Sequence, residues 1–348
     1  MTAALDLGST EFRSLRREDH RLVARRLPAV YTVLEDQPAH RRLLDHGQMS
    51  YSVAGESLVV IGESARDVSS LLSRPLVPLF TNGKLPDQDP IARQVCAWLV
   101  ELLIPPARQA AETCCLALPA SETNGISGNE TARFLEHVVQ LHGYETSVMH
   151  PATALALAEL ECNGFTGATL VFGAESIAFA VTYQSQPVIS LRLAKGSRDL
   201  WERFAHFRKR YLWDAGGNVY LDLPAVQNWL NREELSLSKP RHDDDAWFAD
   251  AFEESLLSAW FSFKRKVSLS EHPVLKMPMP LVVAGGASRL AGFQDLVRES
   301  LTLSGIPLHV NEIRQATFEP YSVARGLLIH ATLSAGEPVE TQLALEAA

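Results

Sequence analysis

Between Leu281 and Gly292 the chain reads LVVAGGASRLAG. Four apolar residues, Leu281 to Ala284, predict a short buried strand, and Gly285, Gly286, Ala287 and Ser288 predict a small-residue turn. Leu290, Phe293, Leu296 and Val297 then fall at helical spacing. A strand, a glycine turn and a helix in succession form an arrangement that can cradle a phosphate or nucleotide. Glycine lets the backbone come close to a ligand, and free N–H groups at a helix start favour anions. An ordinary tight βα turn has the same pattern, so both readings stand at this point.

The same reading extends along the rest of the chain. Ala3 to Leu7 predicts a strand interrupted by Asp6, Gly8 to Thr10 a tight polar turn, and Phe12 and Leu15 continue in extended alternation. Residues 21–35 are strand-rich, with Pro28 expected at a strand start or edge. Residues 51–60 alternate, and a helix begins near Glu63. Ile91, Val95, Trp98, Leu99 and Leu102 share one face of a helix over 89–109. A buried strand ending at Pro119, an amphipathic helix ending at Gly143 and an alanine-rich helix opening at Pro151 follow. Residues 167–193 predict a hairpin through Gln184 to Pro187. A helix is expected over 197–216, with Leu200, Phe204, Phe207 and Leu212 as its apolar face. A polar exposed loop precedes a long helix from Phe248 to Ser270. A last helix carries Gly326, and 335–348 reads as a flexible tail.

Length and charge narrow the class. The chain has 348 residues, enough for two domains with a substantial core, and its 46% hydrophobic content is that of a globular protein. Its net charge of −9 argues against general nucleic-acid binding. Cys96, Cys114, Cys115 and Cys162 lack zinc-ligand spacing and read as reduced core thiols. The first residues already read as part of a fold rather than a leader, and no apolar run is long enough to span a bilayer. The expected location is therefore cytoplasmic, with a peripheral position at an inner membrane as a variant of that expectation.

The DLGST run at Asp6–Thr10 and the VAGGAS run near Gly285 together resemble the first phosphate loop and the adenosine loop of the actin-like ATPase superfamily. The VIGESARD and RPLVPLFTNG passages, with Arg74 and Pro75, resemble the MreB branch most closely, and EPYSVARGLLIHA resembles the closing helix of the superfamily. The resemblance runs in order along nearly the whole chain. It implies an α/β, two-lobed, ribonuclease H-like fold with a nucleotide cleft between the lobes. Lobe one would comprise 1–140 and 315–340, with a small inserted subdomain over about 28–75. Lobe two would comprise 141–314, with an inserted subdomain over about 199–273.

The resemblance also implies a site. Gly8, Ser9 and Thr10, then Gly173 and Ala174 of the second phosphate loop, Lys264 of the long helix, and Gly285, Gly286, Ala287 and Ser288 would contact ATP. Asp6 would orient Mg2+ through water. Three positions depart from the family pattern: Phe172 stands where the second loop has an aspartate, His150 where a glutamate places the attacking water, and Phe261 where a glutamate contacts ribose. Glu175 is the remaining acidic candidate near the lost aspartate, though a solvated turn residue fits it as well. Glu11 adds a charge that would repel a triphosphate unless magnesium is near. Two functions follow as expectations. One is an actin-like, MreB-related, nucleotide-binding cytoskeletal or cell-shape protein with weak or absent hydrolysis. It would self-associate or join a related filament protein, with membrane-associated partners and no nucleic acid. The alternative is a non-hydrolysing pseudo-ATPase that acts as a scaffold or regulatory partner of a filament or chaperone system.

Overall fold

The computed structural model describes residues 2–18, 21–86, 89–109, 111–119, 130–213, 216–230, 235–336 and 345–347. The chain begins as a meander of β1 (Ala3–Leu7), β2 (Glu11–Glu18) and β3 (Arg21–Pro28). A side unit follows, made of β4 (Val30–Glu35), α1 (Pro38–His46), β5 (Tyr51–Ala54), β6 (Ser57–Ile61), α2 (Gly62–Leu72) and β7 (Val77–Pro78). Next come α3 (Pro90–Leu103), β8 (Thr113–Ala117), α4 (Glu130–Leu141) and β9 (Glu145–Val148). The helix α5 (Pro151–Glu159) leads to a second meander, β10 (Gly167–Phe172), β11 (Ile177–Tyr183) and β12 (Gln186–Leu193). Then follow α6 (Ser197–Phe207), β13 (Tyr211–Trp213), β14 (Val219–Leu221), α7 (Leu223–Leu230) and α8 (Asp243–Leu269). The chain closes with β15 (Met279–Ala284), α9 (Phe293–Ser304), β16 (Val310–Gln315), α10 (Ser322–Ser334) and β17 (Leu345–Ala347).

Two sheets define two lobes, and they share one topology. The first is ordered β17-β3-β2-β1-β8-β9 and the second β12-β11-β10-β15-β16. In each, a three-strand antiparallel meander is extended by two parallel strands. The turn between β1 and β2 and the turn between β10 and β11 therefore occupy equivalent places. The side unit forms its own sheet, β5-β6-β4-β7, on the first lobe, and β13 pairs with β14 on the second.

The lobes are joined by two helices that exchange sides. α5 follows the last strand of the first sheet but packs on the second, where Leu155, Ala156 and Leu160 meet Val282 and Ala284. α10 follows the last strand of the second sheet but packs on the first, where Ala324, Leu327 and Ala331 meet Ala4, Cys115 and Ala117. Small strand residues let both helices lie close. The helices also meet each other at Gly326, where an added Cβ would lie 1.7 Å from the Ala154 carbonyl oxygen. Glu159, at the end of α5, accepts bonds from Arg314 Nη1 at 3.0 Å, from the Thr317 backbone N–H at 2.9 Å and from the Thr317 hydroxyl at 3.0 Å. At the other end of α5, both ring nitrogens of His150 are shielded from water. Burial, reinforced by the Arg192 charge, lowers the His150 pKa to about 4, so the ring is neutral near pH 7.

Several sequence expectations change. The helix expected over 89–109 stops at Leu103, because Pro105 and Pro106 remove donors. The helix expected to reach 216 ends at Phe207. Lys209 takes a positive φ of 51°, and Tyr211, Leu212 and Trp213 enter a strand with Leu212 and Trp213 exposed. The acids Asp243, Asp244 and Asp245 are not in a loop. They form the first turn of α8, where the helix dipole favours negative charge. Of the expected tail, 337–344 lie outside the described residues, and Leu345–Ala347 pair in parallel with β3. Cys162 is exposed, whereas the other three cysteines are buried.

Two outcomes follow. Gly326→Ala should lower unfolding stability by about 2 kcal/mol or more in urea titrations, since overpacking against backbone outweighs the helix propensity gained. Gly286→Ala, whose added Cβ meets nothing within 4 Å, should stay within about 0.5 kcal/mol of the parent. For His150, the unfolded ring takes up a proton below about pH 6.5 while the folded ring stays neutral to about pH 4. The unfolded state thus binds more protons in that window, and stability falls as pH falls through it. Relative to His150→Gln, the parent should lose about 3 kcal/mol between those limits. Parallel slopes for the two proteins would overturn the assignment.

Candidate functional site

Three turns converge on one cavity of about 360 Å3 between the lobes. The β1–β2 turn brings Gly8, Ser9 and Thr10 with Asp6; the equivalent β10–β11 turn brings Gly173, Ala174 and Glu175; and the turn after β15 brings Gly285, Gly286 and Ala287. Each turn sits where a strand ends, and one glycine in each leaves little or no room for a side chain. A Cβ at Gly8 would lie 2.9 Å from the Glu11 carbonyl oxygen. Gly285 has φ of 98°, and a Cβ there would lie 2.2 Å from the Phe172 carbonyl oxygen. Gly286, by contrast, faces open space. The second turn is held by the start of α6, where the Ser197 and Arg198 N–H groups donate to the carbonyls of Gly173 and Ala174 at 3.0 and 2.8 Å.

Other expected residues lie elsewhere. Ser288 is buried, with its hydroxyl donating back to the Gly285 carbonyl at 2.8 Å, so it shapes the turn without lining the cavity. Lys264 does not reach the cleft. Its ammonium donates to the Ser304 carbonyl at 2.9 Å and caps α9, where cations are favoured. Phe261 is exposed, whereas Trp260 and Phe263 pack in the core on the opposite side of α8. Phe172 is buried against Phe252 and Phe293, with ring centroids 5.6 and 5.5 Å away. Its strand position therefore supplies the aromatic core and no charge to the cleft.

Five arginines and four carboxylates line the cavity of a protein whose net charge is −9. Asp6 and Arg13 are directly opposite in the β1–β2 pairing, and Arg13 Nη1 lies 3.1 Å from Asp6 Oδ2. Burial raises the Asp6 pKa, opposed by the Arg13 guanidinium. Glu11 holds the other side of Arg13, at 2.9 Å from Nε and 2.8 Å from Nη2. The expected repulsive charge of Glu11 is thus already neutralised.

Glu175 is not a solvated turn residue. It is 8% exposed, accepts the Gly83 N–H across the cleft at 2.7 Å and lies 3.1 Å from Arg198 Nε. Burial raises its pKa, offset in part by Arg198. Glu319 accepts the Gly285 N–H at 3.0 Å and so fixes the third turn. Arg192, from β12, crosses toward the first lobe. It donates to the Leu118 carbonyl at 2.8 Å and to the Ser176 hydroxyl at 3.3 Å. Burial pushes its pKa down to about 10, only partly countered by Asp6.

Arg13, Arg192 and Glu319 were not singled out by the sequence reading. Arg13 was within reach of it. A three-residue turn at Gly8–Thr10 sets the register that places Arg13 opposite Asp6. Arg192 and Glu319 arrive from separate elements, and no local pattern marks them.

The residues present fit a polyphosphate. Three glycine-bearing turns line one cavity, and any side chain at Gly286 would project into open space there. They fit magnesium less well, because Asp6, expected to orient it through water, is engaged by Arg13 at 3.1 Å.

Comparison with solved structures shows the fold. The MamK double helical filament matches with a TM-score of 0.63 at 15% identity, covering 95% of this chain and 99% of that one. MreB5 of Spiroplasma citri bound to ADP matches with a TM-score of 0.62 at 12% identity, covering 96% and 98%. The ethanolamine utilization protein EutJ from Carboxydothermus hydrogenoformans matches with a TM-score of 0.50 at 16% identity, covering 94% and 89%. The two-lobed actin-like architecture expected from the sequence is therefore present. No curated protein sequence matches the chain. A family model described as Volactin matches residues 1–331, nearly the whole chain, and the protein belongs to the Volactin family.

Proposed function

We propose that this chain is an actin-like nucleotide-binding protein that takes ATP or its diphosphate in the interlobe cleft and self-associates, with weak or absent hydrolysis. The convergence of three glycine turns from both lobes on one cavity carries the reading. Gly8, Ser9, Thr10, Gly173 and Ala174 would meet the phosphates, and Gly285, Gly286 and Ala287 the nucleoside. Trp201, Leu230 and Leu290 give the cavity an apolar wall suited to a base. Self-association is supported by the filament that MamK forms, and nucleotide binding by the ADP held by MreB5.

Weak hydrolysis follows from the site chemistry. Activating water needs a base within reach of it. Phe172 is locked in an aromatic core, His150 is neutral with both nitrogens enclosed, and Glu175 is committed to Gly83 and Arg198. A cytoskeletal or cell-shape role, related to that of MreB and exercised in the cytoplasm or at the inner membrane, is the cellular setting we infer. Among the described residues no helix is long and apolar enough to cross a membrane. A scaffold that binds no nucleotide is the second reading. It is favoured by the Glu175–Gly83 and Arg192–Leu118 bonds, which already hold the lobes together.

Titration with a fluorescent ATP analogue separates the two. Saturable binding is expected, with Gly286→Val weakening it at least about tenfold by filling the cavity while leaving the unfolding midpoint unchanged. Light scattering should rise with ATP and stay nearly constant afterwards if hydrolysis is slow. Absence of binding at millimolar nucleotide would leave the scaffold.

A further inference from the structure

The carboxylates of the cleft are all occupied. Asp6 is paired with Arg13, and Glu11 with Arg13 and, at 3.9 Å, Arg26. Glu175 is bound by Gly83 and Arg198, and Glu319 by the Gly285 N–H. A divalent cation bound directly by these acids would share each of them with a guanidinium or a backbone donor already in place. Each such pair is costly to break once desolvated, because it leaves a charge uncompensated.

Arg192 presents the opposite situation. Among the described residues no carboxylate lies within ion-pair distance of it. Nε and Nη1 each have a neutral acceptor, and Nη2 makes no hydrogen bond. The guanidinium is partly withdrawn from water and has no anion beside it. Its planar fork is suited to two phosphate oxygens, and a charge-assisted pair of that kind is roughly twice as strong as a neutral hydrogen bond. Arg192 comes from the second lobe, reaches the first at Leu118 and lines the same cavity as the three turns. Its bond to Ser176 places it beside the β10–β11 turn. Asp6, the acid nearest in effect, is already compensated by Arg13 and does not satisfy it.

We propose that the cleft binds the phosphates of a nucleoside di- or triphosphate as the metal-free anion, with Arg192 supplying the counter-charge and the Arg13–Asp6 pair kept intact. This rests on the nucleotide reading above and adds its charge requirement. Removing the cation should then leave affinity almost untouched, whereas in a metal-dependent cleft it would abolish binding. Magnesium that coordinates only the phosphates in solution would compete with Arg192 for them and weaken binding slightly.

The experiment is a fluorescence titration of the full chain with an ATP analogue, in excess magnesium and in excess EDTA. The parent is expected to bind in both, with affinities within about threefold. Arg192→Gln, which keeps a neutral donor at the Nε position toward Ser176, should weaken binding at least about tenfold in both buffers, as loss of a charged hydrogen-bond donor does. Arg192→Lys should recover part of that loss. Circular dichroism melts of each variant establish that the fold persists. Binding in magnesium that disappears in EDTA would overturn the proposal while leaving the nucleotide reading intact. Unchanged affinity in a folded Arg192→Gln would also overturn it. No saturable binding of the parent in either buffer would remove both.

Discussion

The lobes meet through one crossing, where α10 lies against α5 with Gly326 on the Ala154 backbone. Each helix leaves the sheet it follows and covers the sheet of the other lobe, so neither lobe has a complete core without the partner's helix. Close approach is possible only because one residue lacks a side chain. The contact is pinned at one end by Glu159, a buried carboxylate that accepts from Arg314, Thr317 and, at 3.3 Å, Ser322. A buried acid with that many donors is well compensated, and truncating it would leave Arg314 unpaired. At the other end the helix starts reach the cavity, which Pro151 and Val323 both line. Any rotation of one lobe about the crossing therefore changes the shape of the cleft.

Polar contacts across the cleft oppose that rotation. The Gly83 N–H to Glu175 and the Arg192 to Leu118 carbonyl each join one lobe to the other. Both involve a charged group taken largely out of water, where a hydrogen bond is electrostatically stronger and its loss more costly. The two groups have opposite sign and different fates. Glu175 has Arg198 beside it, whereas Arg192 has only neutral acceptors. A ligand anion can engage Arg192 without breaking its bond to Leu118, so filling the cleft and keeping it closed are compatible.

Much of this was legible in the sequence, and the limits have physical causes. The strand–turn–helix at Leu281–Val297 was readable because apolar periodicity and glycine chemistry are local. The structure places β15, the turn and α9 there, with the helix starting at Phe293 after Gly292 takes φ of 86°. The turn at Gly8 was readable for the same reason, whereas the one at Gly173 came only from the family resemblance. Lys264 was misplaced because helical spacing fixes a face of α8 but not what packs beside it, and α9 ends against that face. The 197–216 segment failed where aromatic residues suit strand and helix alike, and the break at Lys209 has no sequence mark such as glycine. Glu175 was read as solvated since its partners, Gly83 and Arg198, come from another lobe and another element.

The departures from the actin-like pattern are linked by charge. Where the resemblance expects carboxylates, Phe172 packs into the aromatic core and His150 is held neutral. Both changes remove negative charge from around the phosphate turns. The same cavity carries Arg13 opposite Asp6 and an unpaired Arg192 beside it. A half-buried guanidinium with no acid beside it carries a desolvation cost that a bound anion would offset. Arg192 is better explained if the cleft still meets an anion. A protonated His150 would add a second positive charge beside Arg192, and the repulsion between them contributes to keeping the ring neutral. Thus the substitutions that take acids away from the phosphate turns leave a cationic contact there, and the proposed anion binding would use that exchange of charge.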